Sequence, residues 1–155
     1  MFLLLRVDHR LIHGQVAFTW VNNLNSDCIL VANDLVSSDE LKKTSIKLAK
    51  PQGVKLVIKN IDDSIAALNS DVTDKYKLMI IVESVEDAYK IVKNVPYIKS
   101  INLGGTKTRE GTRNISKAVN LLPQEEDLLK DLINNDSVEV EIRQVPTDSK
   151  VLYKG

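Results

Sequence analysis

The chain has 155 residues, 21 of them Lys or Arg and 21 Asp or Glu, so its formal net charge at neutral pH is zero. A chain of this length buries roughly 70% of the surface that it exposes when unfolded, enough for one stable domain without disulfides or metal ions. Balanced charge and only 5% aromatic residues argue against a nucleic-acid-binding protein, which usually has a basic excess or an aromatic stacking surface.

The single cysteine and the apolar segments indicate where the protein works. Cys28 lies among apolar residues in CILVAN, which is typical of a buried strand thiol, and one cysteine permits neither an internal disulfide nor a Cys-rich zinc site. The apolar run at residues 2–5 is too short for a signal peptide. No segment is long enough to span a bilayer. The sequence therefore predicts a cytoplasmic protein.

Short apolar runs alternate along the chain with longer amphipathic segments. The apolar runs predict buried strands at residues 2–7, 28–33, 54–58, 77–82 and 98–103. The amphipathic segments predict helices at residues 14–24, 37–50, 60–70, 84–95 and 124–136. In the second of these helices, Ser37 and Glu40 have the spacing of a capping box.

Two segments depart from this alternation. Residues 106–120 are polar and contain Gly111, so we predict a loop with one short strand near SKAV and no role in the core. Residues 138–145, VEVEIRQV, alternate apolar and charged side chains, which is typical of a half-exposed antiparallel or edge strand. Together the elements predict a single α/β domain over residues 1–155, with a mostly parallel central sheet, helices on both faces and an antiparallel C-terminal strand.

The stretch VDHRLIHGQV, residues 7–16, contains both histidines of the chain, His9 and His13, together with Arg10. It follows the first predicted strand, and ligands of parallel sheets bind at the carboxyl ends of the strands. Polar residues after the other strands are common and therefore weakly informative: Asn33-Asp34, Lys59-Asn60, Glu83-Ser84 and Thr106-Lys107. Gly104-Gly105, which ends the fifth strand, is interpreted as a plain turn.

The residues of this loop suit phosphoryl transfer through histidine. A neutral imidazole is a nucleophile, and His13 directly precedes the helix predicted from Gly14. The positive end of a helix disfavours an imidazolium and attracts an anion, and Gly14 leaves the backbone open to phosphate oxygens. Arg6 and Arg10 offer planar cationic donors to those oxygens. Asp8 alone is weakly informative, since it could orient an arginine or the His13 ring or simply cap the turn.

Other interpretations of the same residues stay open at this point. His9 and His13, four residues apart, would form half of a metal site, but the chain has no other histidine and only carboxylates remain as further ligands. The two rings are also consistent with a pair of hydrogen-bonded structural histidines. The glycine-rich motifs of nucleotide and dinucleotide binding are absent from the sequence.

RVDHRLIHGQV, which starts at Arg6, closely resembles the active loop of the IIB subunits in the mannose/fructose/sorbose family of the bacterial phosphoenolpyruvate-dependent sugar phosphotransferase system. The family pattern continues with an aromatic residue, here Trp20. Further stretches that resemble the family are residues 31–56, 101–121 and 125–148, so the resemblance covers essentially the whole chain.

The resemblance implies that the histidine aligned with His13 accepts a phosphoryl group from a phosphohistidine of the IIA protein. That group then passes to a sugar entering through the membrane subunits IIC and IID, next to which a cytoplasmic IIB protein would work. No metal, nucleotide or other cofactor is implied. Arg10 is implied to help bind the phosphate, and Arg6 and Asp8 to support the loop. His9 occupies a position that is commonly acidic or small in the family, so it stays an alternative site.

The sequence therefore predicts an enzyme, a phosphocarrier that is phosphorylated on His13. The alternative is a non-catalytic regulatory or small-molecule-binding module on the same fold, against which the intact His13, Gly14, Arg6 and Arg10 argue. For the surface that contacts IIA, we predict contributions from Arg10, Phe18 and the polar tip near Asn33.

Overall fold

Nine strands and six helices make up the computed structural model, which describes every residue from 1 to 155. The strands are β1 (Phe2–Asp8), β2 (Cys28–Ala32), β3 (Lys55–Lys59), β4 (Leu78–Val82), β5 (Ser100–Gly105), β6 (Arg113–Ser116), β7 (Val119–Leu121), β8 (Glu139–Ile142) and β9 (Val151–Leu152). The helices are α1 (Gly14–Leu24), α2 (Asp34–Ser37), α3 (Glu40–Ala49), α4 (Ile61–Asn69), α5 (Val85–Asn94) and α6 (Pro123–Asp136).

Seven of the strands form one sheet in the order β3-β2-β4-β1-β5-β8-β9, and β6 and β7 form a separate antiparallel pair. Neighbours in the large sheet run parallel, except β8 and β9, which run antiparallel. The strand order is that of an α/β fold in which helices connect parallel strands.

The alternation of side chains along the strands builds two cores, one on each face of the sheet. In β4, Leu78, Ile80 and Val82 belong to the core that contains residues of α4, α5 and α6, whereas Met79 and Ile81 belong to the core formed with α1, α2 and α3. Successive side chains of a strand point to opposite faces, so a sheet covered on both faces requires apolar residues at every position. The predicted fold class, including helices on both faces and an antiparallel C-terminal strand, is confirmed.

The position of β1 between β4 and β5 determines where a site can form. The helix that follows β1, α1, packs on one face of the sheet, while α5, which connects β4 to β5, packs on the other. Connections that leave neighbouring strands toward opposite faces open a crevice at the carboxyl edge of a parallel sheet. The loop between β1 and α1 borders that crevice.

Residues 37–50 do not form one helix, so the predicted capping box is wrong. Ser37 is the last residue of α2, and α3 begins only at Glu40. The cap of α3 is Asp39, whose Oδ1 accepts a hydrogen bond from the N–H of Lys42 at 3.1 Å. Aspartate caps a helix as well as serine does, and its negative charge is favoured at the positive end of a helix.

The prediction that residues 106–120 form a loop without a role in the core is also wrong. They contain the β6–β7 hairpin, whose turn falls within the SKAV segment. Val119 and Leu121 are buried in the larger core, and the Thr106 hydroxyl accepts a hydrogen bond from the N–H of Asn120 at 2.7 Å. Only alternate residues of β7, Val119 and Leu121, face the core. Two apolar residues are therefore enough for this strand to pack there, although the segment is mostly polar.

Residues 138–145 contain β8, which pairs antiparallel with β9, as its alternating pattern predicted, and parallel with β5. The antiparallel strand at the edge is β9, which covers the other side of β8. Glu141 of β8 is buried, and its charge is compensated inside the protein by Arg143. The alternation of charge therefore did not indicate exposure to solvent.

Two further sequence predictions concern single features. Cys28 is a free thiol buried in β2, as predicted, and burial raises its pKa. Among the six helices, none has both the length and the apolar composition that crossing a bilayer requires.

We predict that Asp39→Ala lowers the free energy of unfolding by about 1 kcal/mol, because the first turn of α3 loses its capping carboxylate. Ser37→Ala is the matched control, since Ser37 ends α2 and caps nothing in α3. Urea titrations of both variants measure the difference. A larger loss in Ser37→Ala would contradict this assignment of the cap.

Candidate active site

The apolar residues of the loop after β1 fix its path. Asp8 ends β1, and its carbonyl accepts a hydrogen bond from the N–H of Leu11 at 2.9 Å, so the chain turns at once. Leu11 has a φ of +58°, in the left-handed region that residues other than glycine rarely adopt. The side chains of Leu11 and Ile12 are buried in the core on the α1 face. Their burial offsets the backbone strain and places the polar residues of the loop at its surface.

The Asp8 carboxylate has no exposed surface and contacts Arg6, Arg10 and His13. Its Oδ2 accepts from Nη2 of Arg6 at 3.2 Å and lies 3.1 Å from Nε2 of His13, while its Oδ1 accepts from the backbone N–H of Arg10 at 3.0 Å. Burial alone would raise the pKa of Asp8, but the N–H of Arg10, the charge of Arg6 and the neighbouring His13 hold it below its usual value. Because an ionised carboxylate only accepts hydrogen bonds, Nε2 of His13 carries the proton between them.

The two arginines at the loop have different surroundings. Arg6 is only 2% exposed, and its Nη1 donates to Oδ1 of Asn102 at 2.7 Å and to the carbonyl of Arg143 at 3.2 Å. Burial lowers the pKa of Arg6, and the adjacent Asp8 opposes that shift. The side chain of Arg10, by contrast, is 43% exposed. Arg10 can therefore contact a ligand that arrives from solvent. Arg6 cannot, but its hydrogen bond from inside the protein orients Asp8.

His13 is the N-cap residue of α1, at the helix start that the sequence predicts, and its side chain is 23% exposed. Gly14 has a φ of +45°, and a Cβ there would meet no atom within 4 Å, so this glycine serves the backbone conformation. No side chain accepts a hydrogen bond from the first turn of α1. The next four helices all have such a side chain: Asn33, Asp39, Asn60 and Ser84. The positive end of α1 is thus open beside His13, an arrangement that suits an anion.

Five of the residues singled out from the sequence lie together at the carboxyl end of β1: Arg6, Asp8, Arg10, His13 and Gly14. His9 does not contact this group through its ring. Its N–H donates to the carbonyl of Gly105 at 3.0 Å, and its buried Nδ1 has no hydrogen-bond partner. The His9 side chain instead borders two open clefts of about 240 and 400 Å³.

Of the residues predicted for a docking surface, two are accessible. Arg10 and Phe18 are exposed, Phe18 by 48%, and they lie on either side of His13 along the chain. Asn33 is buried, and its Oδ1 accepts from the N–H of Val36 at the start of α2. Asn33 itself is therefore not accessible to a partner, but Asp34, directly after it, is exposed, so a contribution from the polar tip near Asn33 stays a prediction.

The residues that support Arg6 are far away in the chain, and sequence reasoning missed them. A Cβ on Gly104 would lie 2.1 Å from Cζ of Arg6, so this glycine is a packing position in β5 and not a plain turn. Asn102 donates to Glu141 at 3.3 Å, and Glu141 forms an ion pair with Arg143 at 3.2 Å. One signal was available, namely a single polar residue, Asn102, within the apolar run of β5.

The arrangement around His13 is suited to a covalent phosphoryl intermediate. One nitrogen of the imidazole is fixed by a buried carboxylate, which leaves the lone pair of the other nitrogen free to act as a nucleophile. Phosphoryl transfer requires positioning and charge stabilisation more than other covalent chemistry. His13 caps the open end of α1, and Arg10 contacts the same carboxylate as His13, so both supply positive charge around the ring.

Comparisons with known proteins identify the class to which this fold and loop belong. The structure superimposes on the crystal structure of the IIBSor domain of the sorbose permease from Klebsiella pneumoniae with a TM-score of 0.90 and 29% identity, over 97% of this chain and 92% of that one. That domain is a IIB component of a sugar phosphotransferase system, a class that transfers phosphoryl groups during sugar transport.

The sequence matches the family described as "PTS system sorbose subfamily IIB component" over residues 2–154. It is 33% identical to a "Probable phosphotransferase enzyme IIB component" of Streptococcus pyogenes, over 97% of this chain and 96% of the relative. It is also 32% identical to the mannose-specific EIIAB component of Escherichia coli, over 96% of this chain but 46% of that longer protein. The chain belongs to the sorbose subfamily of IIB components of the phosphotransferase system and takes part in sugar phosphotransfer.

We predict that Gly104→Ala destabilises the protein by about 3 kcal/mol or more, because the new methyl group would displace a buried guanidinium from its partners. Gly105→Ala is the matched control. Its Cβ would lie 3.6 Å from its nearest neighbours, an ordinary contact, so a change below about 1 kcal/mol is expected. Urea unfolding of the two variants tests the difference, and equal losses would contradict it.

A carboxyl group near the site is expected to titrate close to neutral pH. Glu83 and Ser84 border the smaller cleft beside His9, and Asp87 follows them in the first turn of α5. Burial, and then the charge of Glu83, raises the pKa of Asp87 to about 6.

From this raised pKa we predict a pH-dependent loss of stability that Asp87→Asn removes. Protonation of Asp87 stabilises the folded state, so its contribution is complete below about pH 4, the usual pKa of an unfolded aspartate. The contribution is lost as the pH rises through about 6. The advantage of Asp87→Asn in unfolding free energy should therefore grow from pH 4 to pH 7. Asp63→Asn, at the same position of α4, is the control, and an equal trend there would contradict the prediction.

Proposed function

We propose that this protein accepts a phosphoryl group from a phosphohistidine of a IIA protein onto His13 and transfers it to a sugar during uptake through IIC and IID subunits. It would thus be a protein-phosphohistidine–sugar phosphotransferase. The observation that carries this proposal is the 3.1 Å contact between Nε2 of His13 and the buried Asp8, at the open end of α1. A structural histidine has no need of a buried carboxylate and an uncapped helix end at its partly exposed ring.

We propose Nδ1 of His13 as the reacting atom, because the contact with Asp8 occupies Nε2. The lone pair of Nδ1 attacks phosphorus, so that a new N–P bond forms while the N–P bond of the donor histidine breaks and its electron pair returns to the donor. The Nε2 proton stays on the His13 ring, and the ionised Asp8 stabilises the positive charge that the ring gains. In the second transfer, a sugar hydroxyl attacks phosphorus, loses its proton and leaves Nδ1 with its lone pair.

Two groups support the phosphoryl oxygens in this proposal. The first turn of α1, which no side chain caps, offers backbone N–H groups and the positive end of the helix. Arg10 is anchored to Asp8 by its backbone N–H and, at 3.5 Å, by its Nε, while its side chain stays 43% exposed. Gly14 keeps the backbone approach clear of a side chain. Arg6 acts one step further back, because it is buried and donates to Asp8, Asn102 and Arg143.

His13 is favoured over His9 as the phosphorylated residue. The ring of His9 contacts no carboxylate, and its Nδ1 is buried at the rim of two clefts. An imidazole without an orienting acceptor has no fixed tautomer. His9 therefore lacks the fixed tautomer that a phosphoryl acceptor needs. We propose that it lies beside the active site without reacting.

The donor and acceptor are proposed to reach His13 as part of larger partners. The His13 side chain is 23% exposed and lines none of the five cavities, so its ring can be reached from the surface. The exposed Arg10 and Phe18 offer a cationic and an apolar contact beside it. One relative combines A and B components in a single chain, which supports a IIA partner. We propose that residues 1–155 act as one IIB domain, in the cytoplasm next to the membrane subunits.

The alternative of a regulatory or small-molecule-binding module predicts a ligand in a cavity and no covalent intermediate. The clefts beside His9 are the places for such a ligand, but neither includes His13. Phosphoryl acceptance separates the two functions directly.

We predict that the wild-type protein and His9→Ala gain one acid-labile phosphoryl group when incubated with phosphoenolpyruvate, the general phosphorelay proteins and a mannose-family IIA. His13→Ala should gain none, because the nucleophile is missing, and should unfold at a urea concentration close to that of the wild type. Intact-protein mass spectrometry measures the gain, and nitrogen NMR of the phosphorylated protein identifies Nδ1 or Nε2.

Loss of acceptance in His9→Ala alone would move the site to His9. No gain in the wild type with its cognate IIA, under conditions in which a control IIB protein is phosphorylated, would favour the non-catalytic module.

A further inference from the structure

We infer that Trp20 is a positioning residue for the phosphoryl acceptor, acting on His13 through Arg6 and Asp8. This inference rests on the proposed function of His13. The tryptophan lies on the same helix as His13, seven residues further along, or about two helical turns. Its side chain is 1% exposed, so it has no direct contact with a partner or a sugar.

Two guanidinium groups lie over the indole ring of Trp20. Cζ of Arg6 lies 5.4 Å from the ring centroid, and Cζ of Arg143 lies 5.1 Å from it. Both distances are within the range in which the negative face of an aromatic ring attracts a cation, and burial strengthens that attraction. The two arginines are also joined directly, since Nη1 of Arg6 donates to the carbonyl of Arg143 at 3.2 Å.

The polar edge of the same ring fixes the helix. Nε1 of Trp20 donates to the carbonyl of Gln144 at 3.0 Å, which ties α1 to the segment that follows β8. This hydrogen bond adds to the apolar packing of Ala17 and Val21, which also holds α1 against the sheet. His13 caps the same helix, so Trp20 and the open helix end belong to one packed element.

A continuous set of contacts therefore connects Trp20 to the reacting imidazole. Trp20 packs on Arg6, Nη2 of Arg6 donates to Oδ2 of Asp8 at 3.2 Å, and the same oxygen is 3.1 Å from Nε2 of His13. If the indole ring is removed, the Arg6 guanidinium loses the aromatic surface that it packs against and can rotate away from Asp8. The Asp8 carboxylate then no longer presents Oδ2 at a fixed place, and His13 loses the acceptor that selects its tautomer.

A tryptophan that only filled the core would have a different consequence on mutation. Val21, the next residue of α1, is buried in the same core but has neither a π face nor a polar group to place beside Arg6. Its truncation removes apolar contacts from the same helix and leaves the contacts of Arg6 intact. Val21→Ala is therefore the control that separates stability from positioning.

The test uses the full chain with Trp20→Met, Trp20→Phe and Val21→Ala. Methionine retains much of the apolar volume without a π face, whereas phenylalanine retains a ring for the two guanidinium groups and loses only the N–H. Nitrogen NMR of the unphosphorylated protein gives the fraction of His13 that carries its proton on Nε2. Mass spectrometry gives the rate of phosphoryl acceptance from IIA, and urea titration gives the stability of each variant.

We expect Trp20→Met to lower the Nε2–H fraction and to slow acceptance on the order of ten-fold or more, because a small misplacement of reacting groups has a large effect on rate. Trp20→Phe should restore most of the Nε2–H fraction. Val21→Ala should lose stability while the tautomer and the rate stay as in the wild type.

The inference is overturned if Trp20→Met keeps the wild-type tautomer, or if Val21→Ala changes tautomer and rate as strongly as Trp20→Met. If Trp20→Met does not fold, Trp20→Phe decides: it keeps a ring for the two guanidinium groups, so a loss of the Nε2–H fraction larger than that in Val21→Ala overturns the inference. The tautomer measurement needs no IIA protein, so its outcome is independent of whether His13 is phosphorylated.

Discussion

The contact between the buried carboxylate of Asp8 and the donors around it constrains the rest of the site. A carboxylate without exposed surface would cost several kcal/mol if it were unpaired, so the fold must supply partners at fixed positions. Those partners come from β1 itself, from the loop and from the start of α1: Arg6, Arg10 and His13. A single charge thereby orients the imidazole, anchors the exposed arginine through its backbone and fixes the distance between the strand and the helix.

The buried charge of Arg6 in turn requires partners from the last third of the chain. Arg6 is itself buried, and its remaining donors are used by Asn102 of β5 and by the carbonyl of Arg143 after β8. The ion pair of Glu141 with Arg143 lies next to them, so the buried charges of the group balance. The last parallel strand therefore completes the electrostatic surroundings of a loop at the other end of the sequence, and this explains why β8 must lie beside β5.

Sequence patterns predicted what depends on local chemistry and missed what depends on distant partners. The bounds of α1 were predicted as 14–24 and are observed there, because an apolar stripe and a glycine at the start are properties of the segment itself. The cap of α3 was predicted wrongly because Ser37 and Asp39, two residues apart, are both capping residues and Asp39 takes that position. The β6–β7 hairpin was missed because only Val119 and Leu121 of β7 belong to the apolar core. That Arg6 faces inward follows from Asn102, Gly104 and Arg143, none of which is near it in sequence.

The uncapped start of α1 relates the proposed cycle of phosphorylation to the hydrogen bonding of that helix. Four other helices are completed by a side chain that belongs to them, whereas α1 has only His13 at that position and no side-chain acceptor. Under the proposed function, the phosphoryl oxygens would serve as that acceptor for as long as the group stays on the ring. The helix would then be complete only in the loaded protein, and each transfer to a sugar would return it to an unfinished state that is ready for the next donor.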